Sequence, residues 1–247
     1  MTAPKFSVVI PAYNEASYLP YLLDSIEHSS SSYRGGSEAV EVIVADNNSR
    51  DQTAAIGKER RCLVRNVVER NIATVRNAGA EMASGELLCF VDADMRIHAE
   101  TFTAIEQAMS NHKVVAGSTG IKLEKITFGI AMTYSVLLPI AWLTRIDTGV
   151  VFCRRLDFDA IGGYDETLSI AEDVQFLTSM RDLGRARGQK LARLPDVKAL
   201  GSTRKWDEHG NWHFLTIMWQ ILRSGGLNAD QSPGLLNRYW YGDQREP

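Results

Sequence analysis

The chain has 247 residues, 45% of them hydrophobic and 23% charged, a balance that excludes disordered and fibrous architectures and suffices for one sizeable α/β core. Its net charge of -3 speaks against a nucleic-acid partner, which would need a basic surface to neutralise phosphates, and the clusters at Arg60-Arg61 and 185–190 read as solvated faces. Cys62, Cys89 and Cys153 are odd in number and widely spaced, so neither disulfides nor a zinc site is expected and a reducing cytoplasm fits.

Residues 6–10 are a continuous apolar strand, and Leu19, Leu22, Leu23 and Ile26 then recur at helical spacing. The serine tract 29–32 with Gly35-Gly36 reads as a flexible connection. Residues 40–45 form a second strand, 46–49 a turn, and a helix starts near Asp51, which suits a helix N-cap or first-turn position. A third strand is expected at 63–68, an alanine-rich helix at 71–83 and a fourth strand at 87–91. The run LLCFV in that last strand lacks polar alternation, as a strand covered on both faces should. Farther on, 114–117 and 149–153 look like strands, and 171–183 and 212–223 like helices.

The segment 128–143, FGIAMTYSVLLPIAWL, is shorter than the roughly 18 apolar residues of a membrane span and is interrupted by Pro139. It reads as a buried or surface-docked helix pair; an interfacial contact with a membrane and a homodimer interface both stay open. The N-terminus shows no secretory pattern, so a soluble, cytoplasmic protein is expected, with the inner membrane face as the place of any peripheral contact. The tail 232–247 carries Tyr239-Trp240-Tyr241, a triplet more consistent with packing on the body than with binding.

Alternating strands and helices imply a mostly parallel sheet flanked by helices, with ligands at the carboxyl ends of its strands. Those ends carry the polar residues. Pro11-Ala12-Tyr13-Asn14-Glu15 follows the first strand, Asp46-Asn47-Asn48-Ser49 the second, and Asp92-Ala93-Asp94 the fourth. Each residue alone suits a turn or a cap, but three such ends converge on one crevice. Asp92 and Asp94 concentrate negative charge that calls for a hard divalent cation, Mn²⁺ or Mg²⁺, shared with substrate phosphates.

The stretches SVVIPAYNE, VIVADNNSRDQT, NAGAEMASGELLCFVDADM and GGYDETLSIAEDVQF, in that order across residues 6–180, resemble the family-2 inverting glycosyltransferases of GT-A fold. The resemblance implies an α/β GT-A unit over 1–247, with a nucleotide-sugar half at 1–112 and a helical acceptor half at 113–247. It implies transfer of a sugar from a nucleoside diphosphate, UDP favoured and GDP open, to a hydroxyl of a sugar or lipid-linked acceptor. By the same resemblance Pro11, Ala12, Tyr13 and Glu15 line the nucleoside pocket, and Asp46 contacts the base. Arg76 either lies near base and phosphates or is a helix-surface arginine. Asp92, Ala93 and Asp94 match the metal and ribose motif, with Asp94 as direct ligand and Asp92 on metal or ribose. Inversion requires a general base opposite the leaving diphosphate. The family puts it in the pair Glu172-Asp173; neighbours on a helix diverge, so Asp173 is assigned as base and Glu172 as an orienting residue, against the alternative of a dipole-favoured acidic helix start. The turn Gly162-Gly163-Tyr164-Asp165 would underlie donor sugar and acceptor.

Downstream, His209 is a candidate third metal ligand, while His213 reads as a surface or core histidine. Arg204-Lys205 suits either a cationic loop for the diphosphate or a solvated pair. The stretch 220–224 lacks the tryptophan of the processive synthases' Gln-x-x-Arg-Trp motif. A metal-dependent nucleotidyltransferase would show a glycine-rich loop where PAYNE stands, a dehydrogenase a G-x-G-x-x-G, and a catalytically silent sugar-nucleotide module need not keep every carboxylate.

Overall fold

Strand β1 (Phe6–Ala12) is buried along its whole length and pairs in parallel with β2 (Val40–Asp46) on one side and β4 (Leu87–Phe90) on the other. The computed structural model describes residues 3–125, 148–168 and 171–203. Around those strands lie α1 (Leu19–Ser32), α2 (Thr53–Glu59), β3 (Leu63–Asn66) and α3 (Ile72–Met82). Then follow β5 (Met95–Arg96), α4 (Thr101–Ser110), β6 (Val114–Ser118), β7 (Ile121–Leu123), β8 (Val151–Arg154), α5 (Arg155–Ile161), α6 (Glu172–Ala186), β9 (Lys190–Arg193) and β10 (Ala199–Gly201). The seven-stranded sheet runs β3-β2-β1-β4-β8-β6-β9, and a small sheet runs β5-β10-β7. In the large sheet only β8 runs against its neighbours β4 and β6, so the sheet is mixed but mostly parallel. The chain moves from β1 outward through β2 to β3, then returns to the other flank of β1 as β4. That reversal separates the loops after β1 and β4 and opens a crevice at the carboxyl ends of the strands.

Alternation along β1 and β4 assigns their side chains to two cores. Phe6, Val8, Ile10 and Cys89 meet Leu19, Leu22 and Ile26 of α1 and Phe102 and Ile105 of α4. Val9, Leu88 and Phe90 meet Ala73 and Ala80 of α3, Phe158 of α5, and Phe176 and Met180 of α6. Each large side chain fully buried this way is worth roughly 1.5–3 kcal/mol. Helix α3 lies so close to the sheet that a Cβ on Gly79 would stand 2.5 Å from Val9 Cγ1. Asn71 caps α3, its Oδ1 accepting from the amides of Ala73 and Thr74.

Two expectations change. The serines at 29–32 complete the last turn of α1 rather than a flexible connection. Ser29 and Ser30 are buried, Ser30 and Ser32 donate back to the carbonyls of Glu27 and His28, and Tyr33 anchors the turn edge-on against Phe6. Packing therefore overrides a weak local propensity. The third strand ends at Asn66, not Val68: Val67 turns inward and Val68 is exposed. Among the described residues no helix is long and apolar enough to cross a membrane. The readings for residues 128–143, Arg204-Lys205, His209, His213, 212–223, 220–224 and 232–247 lie outside the described residues.

Candidate active site

The loops after β1 and β2 are stitched together at the mouth of the crevice. Asn14, at φ 50, receives the amide of Arg50 on its Oδ1 and donates its own amide to Ser49 Oγ. Glu15 donates its amide to Thr53 Oγ1, and Asp51 accepts from the amides of Ala16 and Thr53. Asp51 therefore ties the two loops together from one position before the N-cap of α2, which is Gln52, and is neither the N-cap nor a first-turn residue as its position suggested. Pro11 and Ala12 are buried in the end of β1, Glu15 is buried behind the loop, and Tyr13 lies under the Arg70 guanidinium at 5.5 Å from the ring centroid. Asp46 closes β2 at 2% exposure; its Oδ2 accepts from the Ser49 amide while Oδ1 is buried without a partner. A buried acceptor lacking a donor is costly unless something supplies one.

Arg76 is the centre of the crevice. It projects from α3 and is 2% exposed, which rules out the helix-surface alternative. Its Nη2 donates to Asp92 Oδ1 at 2.7 Å, and its Nη1 donates to Glu172 Oε1 at 2.8 Å and Asp173 Oδ1 at 2.7 Å. Glu172 and Asp173 thus converge on one nitrogen instead of diverging. They occupy the first turn of α6, whose entry is set by Ala171 in the left-handed region at φ 58. The guanidinium rests 5.2 Å from the Tyr164 ring centroid, and the Tyr164 hydroxyl donates to Asp173 Oδ1 at 3.0 Å. Asp94 sits half-buried in the turn two residues beyond Asp92, and Ala93 between them is buried.

One cation facing three carboxylates leaves the cluster anionic. Burial raises the Asp173 carboxyl most; Arg76 draws it down, Glu172 and Asp92 push it up, and the Tyr164 hydrogen bond lowers it, for a net rise to about 6. Burial opposes the charge on Arg76, but Asp173, Tyr164, Asp92 and Glu172 together hold its guanidinium well above the ordinary value. A carboxylate poised near neutrality, beside a fixed cation and at a helix start, has the properties of a general base. A separate cavity of about 530 Å³, lined by Lys5, Gly85, Glu86 and Arg155, lies at the opposite ends of β1 and β4, away from this cluster.

Residues 7–148, more than half of the chain, match the model of glycosyl transferase family 2. The chain belongs to that family. The PGL/p-HBAD biosynthesis glycosyltransferase of Mycobacterium bovis is 27% identical over 186 residues, 71% of this chain and 69% of that protein. The 4,4'-diaponeurosporenoate glycosyltransferase of Staphylococcus haemolyticus is 35% identical over 106 residues, 40% of this chain and 26% of that protein. Among solved structures, S. aureus TarS 1-349 superposes with a TM-score of 0.61 at 21% identity over 95% of this chain and 69% of that one. The mannosyltransferase PcManGT of Pyrobaculum calidifontis, solved with GDP-Man and Mn2+, gives 0.61 at 22% identity over 81% and 57%. These likenesses establish the GT-A fold, and family membership makes the protein a glycosyltransferase. The nucleotidyltransferase and dehydrogenase alternatives fall away.

The structure brings Arg76, Asp92, Glu172 and Asp173 together and stations Pro11, Ala12, Tyr13, Glu15 and Asp46 along the neighbouring strand ends. His209, assigned as a metal ligand, lies outside the described residues. Two sets of contacts escaped sequence reasoning. Nothing in the string announces that the Tyr164 hydroxyl reaches Asp173, nor that Asn77, Thr74 and Asn71 of α3 fasten the turn after Gly163.

Proposed function

We propose that the protein is an inverting glycosyltransferase that moves a sugar from a nucleoside diphosphate, UDP before GDP, to a hydroxyl of a sugar or lipid-linked acceptor. The observation that carries this reading is the meeting of the α6 start with the end of β4 at Arg76, which sets a carboxylate of raised pKa beside the metal-type Asp92-Ala93-Asp94 turn. Residues 1–112 would bind the donor: the buried, unpartnered Oδ1 of Asp46 can accept an imide or amine proton of the base, and Pro11, Ala12, Tyr13 and Glu15 line the approach. Residues 113–247 would receive the acceptor.

A donor diphosphate is repelled by the carboxylate set unless a cation accompanies it. The donor chemistry fits Mn²⁺ or Mg²⁺, since both prefer one or two carboxylates completed by phosphate oxygens. Asp94 is the candidate for direct ligation by its place in the family's motif, and Asp92, whose Oδ1 accepts from Arg76, is assigned to the ribose or a shared position. A bound ion supplies charge neutralisation and Lewis-acid assistance to the departing diphosphate. Asp173 removes the proton of the acceptor hydroxyl as that oxygen attacks the anomeric carbon from the face opposite the diphosphate. Glu172 and Arg76 hold Asp173 in place, and Arg76 also ties it to Asp92 on the donor side.

Release of nucleoside diphosphate from UDP- and GDP-sugars, titrated with Mn²⁺ and Mg²⁺, tests the metal assignment. Donor turnover is expected to require the ion, and Asp94→Ala to abolish it. Turnover with the same metal dependence in Asp94→Ala would remove Asp94 from the site. Detectable turnover in the wild type also excludes a silent binding module.

A further inference from the structure

The Asp173 carboxylate is gripped from two directions. Arg76 Nη1 and the Tyr164 hydroxyl both donate to its Oδ1, at 2.7 and 3.0 Å, so Oδ2 is the oxygen left to take a proton. We propose that Tyr164 is a positioning residue for the base: its hydroxyl fixes the orientation of the Asp173 carboxylate, and Asn77 in turn fixes Tyr164. This rests on the reading of Asp173 as general base.

The geometry makes the hydroxyl immobile. The Tyr164 ring is stacked on Phe176 with centroids 4.3 Å apart and planes 13° apart, and stands edge-on to Phe90 at 5.0 Å. The Arg76 guanidinium covers the ring, and the residue is 2% exposed. Its main chain is clamped as well. Asn77 Oδ1 accepts from the Tyr164 amide at 2.9 Å, and Asn77 Nδ2 donates to the Tyr164 carbonyl at 2.9 Å and to Glu166 Oε1 at 2.8 Å. That clamp requires glycine at position 163. Gly163 has φ +78, and a Cβ there would come within 2.7 Å of Asn77 Oδ1. Helix α3 therefore holds the base twice: directly through Arg76, and through the neighbouring residue Asn77 by way of Tyr164.

A merely structural tyrosine would bury its ring and find its hydroxyl any acceptor. This hydroxyl instead donates to the carboxylate that must change protonation state, and it stabilises the charged form. Burial and the charge of Asp173 hold the Tyr164 phenol well above its ordinary value, so it stays a donor throughout the working range. The other groups facing Asp173 are Arg76 from α3, Asp92 from the end of β4 and Glu172 beside it on α6.

The test compares wild type, Tyr164→Phe and Asp173→Asn, reading kcat, donor KM and the pH profile of kcat/KM. Tyr164→Phe keeps the ring packing and removes only the donor. Loss of a hydrogen bond to a charged group should move the acid limb upward by about one pH unit. The fall in kcat should be about tenfold or more, with donor KM within about twofold. If Asp173→Asn is inactive while Tyr164→Phe matches the wild type in kcat and acid limb, the positioning role is overturned and the base assignment stands. An active Asp173→Asn overturns the base assignment and the positioning role with it.

Discussion

At Asp173 three negative charges and one buried guanidinium compete, and burial decides the outcome in favour of the proton. As the proposed base, Asp173 must be deprotonated to act, so activity should fall as the pH drops through the raised value. The free-enzyme profile of kcat/KM is therefore expected to show an acid limb near pH 6, well above the ordinary aspartate value of about 3.9. A limb at the ordinary carboxylate position would mean that the cluster does not govern the reaction. The sign for stability is the opposite one: a group whose folded value is raised contributes most when protonated. That contribution is lost as the pH rises through about 6, so the site is held in its working, ionised form at a cost to the fold. Arg76 limits that cost. Without it the buried carboxylates would face one another uncompensated, a situation that destabilises by about 3–5 kcal/mol when one partner of a buried pair is removed.

Helix α3 is the element on which the site depends, and its position follows from Gly79. A Cβ at 2.5 Å from Val9 Cγ1 and 3.2 Å from the Ala45 Cβ has no room, because both neighbours are fully buried in the sheet. Gly79→Ala gains roughly 1 kcal/mol of helix propensity, but overpacking costs about 1–3 kcal/mol, and the rigid, β-branched Val9 favours the higher end. The substitution is expected to lower the thermal midpoint by several degrees in calorimetry and to reduce turnover, since α3 carries both Arg76 and Asn77; an unchanged or raised midpoint would contradict the close packing. The element scale is also where sequence reading succeeds and fails. Strands such as LLCFV and the 71–83 helix are legible because burial on both faces or a run of strong helix formers such as alanine writes itself into the residue order. The two-residue β5 and three-residue β7 and β10 are not, because their pairing is long-range and too short to show a period. The serines of α1 misled for a related reason: polar residues buried by tertiary contact look like a linker when read alone.

The whole molecule places a nucleotide-type crevice where the sheet changes direction, and that much follows from alternating strands with carboxylates at their ends. What no string of residues displays is the return of the chain after β8. Antiparallel β8 leads into α5, and the turn that follows is fastened to α3 by Asn71, Thr74 and Asn77, so that α6 begins beside Arg76. Glu172 and Asp173 lie 96 and 97 residues from Arg76 in sequence, a separation over which only the fold can specify a contact. The proposed transfer makes a geometric commitment: a single base on one side of the anomeric carbon and the departing diphosphate on the other. The anomeric configuration of the first-formed product, followed by proton NMR during turnover of a nucleoside-diphosphate sugar, tests that commitment most directly. A product of configuration opposite to that of the donor is expected; a product that retains the donor's configuration would contradict the single displacement.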